Sequence, residues 1–367
     1  MEKGKISSLQ MGLMIYPTII ATGILFLPAS MFEYAGRDLW IPPILASATG
    51  ALTIFIAYRL HRFYPKETVI QYSCNILGTV LGKILGGILL LFYLHSSSYV
   101  IFQYGEFMMG NFLPKTPKIV ILASMIMTCA FAIRGGLEVL GRLAEMIVPI
   151  LLVALILIVI LLLPDLEMKH VFPILGNGIM PSVRATIFLN IWFGQFFYIS
   201  FFLPMVTDRT KGRKWAVISL FAVVLTMVVT NLITLLVFGE STGNFEAPLM
   251  AAVTYISIAD FLSHLESLVM ACWIAGAFMK IGVIYYALVL GLAQWLNLSD
   301  YRPIVFPVGF LMILMSIWQV PNKWVLTSHN QIAHFIDPVM QTAIPLFLLL
   351  VAYIRKGKQQ NKEEAKG

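Results

Sequence analysis

Charge is what this chain is short of. Only 12% of its 367 residues are Asp, Glu, Lys or Arg, where soluble domains carry about 25%. So little solvated surface excludes a water-soluble globular domain, and an apolar fraction of 59% with a mean hydropathy of +0.86 places the chain in a membrane. Cysteine is also scarce. Cys74, Cys129 and Cys272 are odd in number and scattered, so they give neither a disulfide framework nor a metal pair. The histidines (His61, His95, His170, His264, His329 and His334) lack ligand spacings such as HExxH, and no metal site is expected. Walker and GxSxG motifs are missing, and Gly176-Asn177-Gly178 lacks the third glycine and preceding strand of a dinucleotide fingerprint. With no nucleophile–base pair visible, the chain reads as a non-enzyme without cofactors.

Long apolar runs, by contrast, are plentiful. A membrane span needs about 20 apolar residues, and ten stretches qualify, at 8–29, 40–60, 84–107, 117–134, 143–163, 184–205, 215–238, 264–292, 303–319 and 336–354. The loops are too short for a soluble catalytic domain, so residues 1–355 read as one integral domain and 356–367 as a disordered cytoplasmic tail. The short polar start, Met1–Gln10, precedes a long apolar run, which predicts no cleavable signal peptide. With the N-terminus in the cytoplasm, the inner loops and tails hold 18 Lys and Arg. The outer loops hold six (Arg37, Lys115, Lys118, Lys169, Arg184 and Lys323). This asymmetry is the positive-inside signature for both termini cytoplasmic, so the net charge of +7 reflects orientation and not nucleic-acid binding. Arg134, Gly135, Gly136 and Arg142 mark an inner boundary, where Glu145 is a candidate partner for one of the arginines.

One charge falls near the middle of a span. Lys280 lies between Val269–Ile274 and Ile281–Ile284, with no acidic residue within ten positions on either side. A lysine at membrane depth costs roughly 2.5–3.5 kcal/mol on insertion scales, so such a group normally faces a cavity or partner. Snorkelling is the bland alternative, but it works near span ends, and Lys280 is about a dozen residues from either end.

Two spans carry matching punctuation. The first reads Tyr16-Pro17 through Thr22-Gly23-Ile24 to Phe26-Leu27-Pro28; the sixth reads Gly194-Gln195-Phe196-Phe197-Tyr198 and closes on Phe202-Leu203-Pro204. Glycine weakens a helix and proline removes a donor. Interruptions at corresponding positions of two halves point to the binding site of an inverted-repeat transporter. The expectation is a pair of broken helices around Gly23 and Gly194, whose free backbone groups face a shared cavity. In the third span Phe92, Ser96, Tyr99 and Gln103 are spaced 4, 3 and 4, which puts them on one face. That face is either interhelical hydrogen-bond glue or a ligand wall. Trp273, Gly276 and Lys280 share a face of the eighth span.

The stretches Ile6-Ser7-Ser8 with Ala21–Pro28, Phe172–Gly178, and Trp273 through Phe278-Met279-Lys280-Ile281 and Tyr285-Tyr286-Ala287 to Asp300-Tyr301-Arg302-Pro303 resemble bacterial spore-germination proteins. They are similar to the B subunits of germinant receptors, over almost the whole chain. That family falls in the amino acid–polyamine–organocation transporter superfamily. The resemblance implies an all-α protein of ten transmembrane helices, a five-plus-five inverted repeat with helices 1 and 6 broken. It also implies a receptor in the spore inner membrane, partnered by an A subunit with a large soluble portion and a C-subunit lipoprotein, and binding a small germinant such as an amino acid. The pocket it implies is formed by Thr22, Gly23, Ile24, Phe92, Ser96, Tyr99, Gly194, Gln195, Phe196, Lys280 and Ile284. Gly194 lies farther before Pro204 than in relatives, which weakens the case for Gln195. Lys280 would sit where a related transporter holds a coupling cation, either as a fixed charge bracing unwound carbonyls of Ala21–Gly23 or as a titrating amine. An active amino-acid or cation symporter needs the same pocket and is the competing reading.

Overall fold

Backbone polar groups have no water to bond in a bilayer, so an apolar chain of this length must satisfy them within helices. A computed structural model, which describes residues 2, 4–255, 265–319 and 332–364, has this form. Among the described residues, ten helices are long and apolar enough to cross a membrane. They are α1 (Ser8–Ala35), α2 (Ile41–Phe63), α3 (Thr79–Asn111), α4 (Lys118–Gly135), α5 (Leu137–Leu162), α6 (Met180–Met205), α7 (Arg209–Phe238), α8 (Leu265–Trp295), α9 (Val305–Gln319) and α10 (Ile332–Arg355). Among the described residues the one β-type pairing is an isolated bridge between Ile6 and Val206. The expected Lys323, His264 and His329 lie outside the described residues.

α1 is the pillar of the bundle. It packs chiefly on α7 and α8, with α5 and α6 completing its surround. α5 is the opposite case: Met146, Ile150, Val153, Ile156 and Ile160 are exposed along one side, as a lipid-facing stripe requires. Two short helices escape the hydropathy reading. Val69–Leu77 opens on Thr68, whose capping box with Gln71 satisfies the first amides, and Pro248–Tyr255 is too short to span. The last helix continues to Glu364 where the sequence predicts a disordered tail; a helix already nucleated in the span extends at little cost through good formers such as Lys, Gln and Glu.

The predicted break in α1 is not there. The helix runs unbroken through Gly23, with Pro17 and Pro28 inside it. Glycine weakens a helix by only about 1 kcal/mol relative to alanine, and an unpaired backbone group in hydrocarbon costs several, so Gly23 alone does not unwind the chain. α6 does change. It is α-helical over Met180–Gly194, tightens to a 3₁₀ turn at Gln195–Tyr198, and ends in a second 3₁₀ turn at Leu203–Met205 around Pro204.

Both ends of the bundle are tied. At the end bearing the N-terminus, Ile6 N–H donates to Met205 O (3.1 Å) and Thr207 N–H donates to Ile6 O (3.0 Å). Glu2 Oε2 there accepts from Tyr301 OH (2.9 Å), Tyr286 OH (3.0 Å) and Leu137 N–H (3.2 Å). Glu145 accepts from Gln10 Nε2 at 3.2 Å and not from an arginine, because the first turn of α1 packs on α5 there. At the far end, Arg37 donates to Phe172 O and pairs with Glu240, while Asp38 accepts from Leu175 N–H at 2.9 Å.

Candidate functional site

A buried ammonium needs oxygen ligands, and two helices deliver them to Lys280. The side chain, 1% exposed, extends from α8 so that Nζ donates to Thr22 Oγ1 of α1 at 2.9 Å and to Gln195 Oε1 of α6 at 3.1 Å. Trp192 Nε1, one turn before Gln195, donates to the same Thr22 oxygen at 3.1 Å. Gln195 reaches this point because the chain tightens there. The expected bracing of carbonyls at Ala21–Gly23 is therefore corrected: Lys280 takes side-chain oxygens, and Ala21 O accepts instead from Trp273 Nε1 at 2.7 Å.

The sequence reading missed the acid. Asp337 of α10, half-buried, lies within electrostatic reach of Lys280 and accepts from Gln341 Nε2 at 3.2 Å. Gln341 belongs to a π turn, Val339–Ala343, a distortion that recurs at functional sites. It packs on Gly194, where an added Cβ would come 3.1 Å from Gln341 Cβ. Gln341 Oε1 and Thr342 Oγ1 are buried there without a hydrogen-bond partner among the described residues. The available signal was an aspartate at the second position of the tenth apolar stretch, where a charge reads as a span boundary and not as a member of the site.

One turn from the ammonium, α1 and α8 join α5 and the short helix Pro248–Tyr255 around an apolar cavity. Pro17, Ile20, Ala21 and Ile24 of α1 face Leu151, Leu155 and Ile158 of α5, Val269, Trp273 and Gly276 of α8, and Leu249 and Met250 of the short helix. Its volume is about 60 Å³, small beside the roughly 300–1,000 Å³ of drug-sized sites, so in this conformation it admits only a small group. The polar pair at its edge, Tyr16 OH and Thr226 Oγ1, is mutually bonded at 2.9 Å. Gly276 faces α1 and α5 across the cavity, an added Cβ standing at ordinary contact distance, 3.6 Å, from both Ala21 Cβ and Leu151 Cδ1.

The other expected residues divide. Thr22, Gln195 and Lys280 meet directly, Gly194 precedes Gln195 and packs on Gln341, and Ile24 lines the cavity. Gly23 faces α7, an added Cβ meeting Met227 Cε at 2.9 Å and Leu27 Cδ1 at 3.2 Å. Phe196 is fully buried near Phe193, and Ile284 is core. Phe92, Ser96 and Tyr99 do not line the cavity: Phe92 packs on Tyr93 and Tyr99 on Phe102. The α3 aromatics that reach the site are Tyr104 and Phe107, with ring centroids 5.7 and 4.2 Å from that of Trp273.

Known proteins match both the chain and the architecture. A Na⁺-coupled sialic acid symporter, solved substrate-bound and outward-open, superposes with a TM-score of 0.69 at 14% identity, covering 92% of this chain and 78% of its own. Mhp1, a nucleobase-cation-symport-1 family transporter solved closed with bromovinylhydantoin bound, gives 0.68 at 13%, covering 93% and 78%. These likenesses establish the ten-helix inverted-repeat transporter fold. Among relatives by sequence, spore germination protein KB of Bacillus subtilis (strain 168) is 27% identical over 375 residues, the full length of both chains. YndE of the same organism is 26% identical over 360 residues, 96% and 97% of the two chains. The family described as spore germination protein matches residues 5–324, and the chain belongs to it.

Proposed function

We propose that this chain is the germinant-sensing membrane subunit of a spore germination receptor, a transporter scaffold that binds a small molecule such as an amino acid near the membrane midplane. The observation that carries this reading is the bridge from Lys280 to Thr22 and Gln195. A single fixed ammonium ties the first helix of each half to α8, the role a mobile coupling cation plays in a cation-driven carrier. Its placement one turn from a small cavity couples ligand size to the α1–α6 contact. Thr22, Ile24, Gly194, Gln195 and Lys280 form the site, with Trp273 and Asp337 added; a germinant's apolar part enters the cavity and its polar end approaches the Lys280 cluster.

The multi-pass chain resides in the spore inner membrane with both termini cytoplasmic, which the charge asymmetry supports. Its partners are an A subunit and a C-subunit lipoprotein, and kinship to germination proteins supports a multi-subunit assembly. Transport is the second reading, favoured by the fold shared with two cation-coupled transporters. Purified chain in proteoliposomes separates the two when radiolabelled amino-acid binding and uptake are measured in parallel. The receptor reading expects saturable binding without accumulation under a sodium or proton gradient. Gradient-driven accumulation would overturn it in favour of a symporter.

A further inference from the structure

At the end of the bundle that carries the N-terminus, α2 and α7 converge on a pocket of about 480 Å³ lined by Phe55, Tyr58, Arg59, His61, Arg62, Pro65 and Arg213. Three guanidinium groups share it. None has an acidic partner or a hydrogen bond among the described residues; Arg59 alone is braced, with its Cζ 5.1 Å from the centroid of Phe55. The nearby acids are otherwise engaged. Asp208 accepts from Ser8 N–H at 2.6 Å, and Glu67 accepts from Asn75 Nδ2 at 2.7 Å. The hydroxyl of Tyr58 is buried without a hydrogen-bond partner among the described residues. It rests where a Cβ on Gly212 would stand 2.7 Å away, so glycine is what admits it.

The pocket continues into hydrocarbon. Above Arg59 and Arg62, α2 exposes Ile44, Leu52 and Phe55; above Arg213, α7 exposes Val217, Phe221 and Leu225 at intervals of four residues. Two packed helices thus present a double apolar stripe that ends in unpaired guanidinium groups. Arginine's planar fork matches phosphate oxygens in bidentate fashion, and its weak hydration suits the headgroup layer. Tyrosine is at home at the same depth.

We infer that this pocket binds the phosphate headgroup of an anionic phospholipid, with its acyl chains lying along the α2–α7 stripe. Arg59, Arg62 and Arg213 hold the phosphate and Tyr58 supplies a further donor. The bound lipid steadies the corner where residues 205–207 pair with Ile6. The inference is independent of what the central site binds.

Native mass spectrometry of the full chain, extracted from vesicles of equal phosphatidylglycerol and phosphatidylcholine, tests it. Wild type should retain phosphatidylglycerol in preference to phosphatidylcholine. The triple variant Arg59→Gln/Arg62→Gln/Arg213→Gln should retain about tenfold less. A control of equal charge loss, Lys66→Gln/Lys83→Gln/Arg142→Gln, should behave as wild type. The wild-type preference stands by itself if the triple variant misfolds, and Arg213→Lys then reports the loss of bidentate geometry. Equal retention of the two lipids by wild type, or equal losses in pocket and control variants, would overturn the assignment. So would displacement of the lipid by millimolar inorganic phosphate or an acidic peptide, which would make the occupant something other than lipid.

Discussion

α1 and α6 occupy corresponding places in the two halves of the repeat, and both reach Lys280, yet they are built differently. α1 offers the hydroxyl of Thr22 from an unbroken helix whose Gly23 is packed tightly on α7. α6 offers Gln195 from the point where its helix tightens into a 3₁₀ turn, beside Gly194 and a π turn of α10 that leaves polar atoms unpaired. The first is a rigid post, the second a joint. A ligand that rearranges the Lys280 cluster therefore acts on α6 and α10 before α1.

The strongest way to break this comparison is to stiffen the joint. Gly194→Leu has no free space, since even a Cβ meets Gln341 at 3.1 Å. Overpacking of this kind costs about 1–3 kcal/mol, and germinant response should be lost while protein remains in the membrane; immunoblots with dose–response curves of spores check both. Gly23 tests the post. Its nearest neighbour is the flexible Met227 Cε, so Gly23→Ala should be tolerated, whereas Gly23→Leu should shift response by about tenfold, or roughly 1.4 kcal/mol. Equal sensitivity of the two glycines to alanine would erase the distinction between post and joint.

A smaller effect belongs to the tie beneath α1. Burial works against ionisation of Glu2, but bonds from Gly4 N–H, Tyr301 OH, Tyr286 OH and Leu137 N–H outweigh it and hold the carboxyl below its ordinary range. Because the folded value is the lower one, its stabilisation is full above the ordinary carboxylate range and is lost as pH falls through the folded value. Glu2→Gln should lower stability by about 1 kcal/mol at neutral pH and flatten the acid limb of a thermal-unfolding series. The smallest effect is expected at Ser96. Its side chain is half-buried away from the cavity, so Ser96→Phe should leave the order of germinant preference unchanged and stability within about 0.5 kcal/mol.

What was legible in the sequence follows from what has a period or a penalty. Ten apolar runs declare ten helices, because hydrocarbon permits little else. Lys280 announces itself by its cost, and Thr22 and Gln195 by sitting beside matched glycines. The details that fail are tertiary. Gly23 reads as a break but is held by packing on Met227. Phe92 and Tyr99 share a face, yet the register of α3 against α8 brings Tyr104 and Phe107 to Trp273 instead. Asp337 stands at the edge of its apolar run, where a charge looks like a terminus; that it comes within electrostatic reach of a lysine 57 positions earlier is a fact of folding alone.

The central claim is that the Lys280 ammonium joins α1 to α6 within the germinant site. Lys280→Met keeps the apolar stem and removes the charge, so the decisive measurement is the germinant dose–response of Lys280→Met spores across a range of pH at matched protein level. The account predicts loss of response at every pH. A wild-type dose–response with an unchanged pH profile would contradict it.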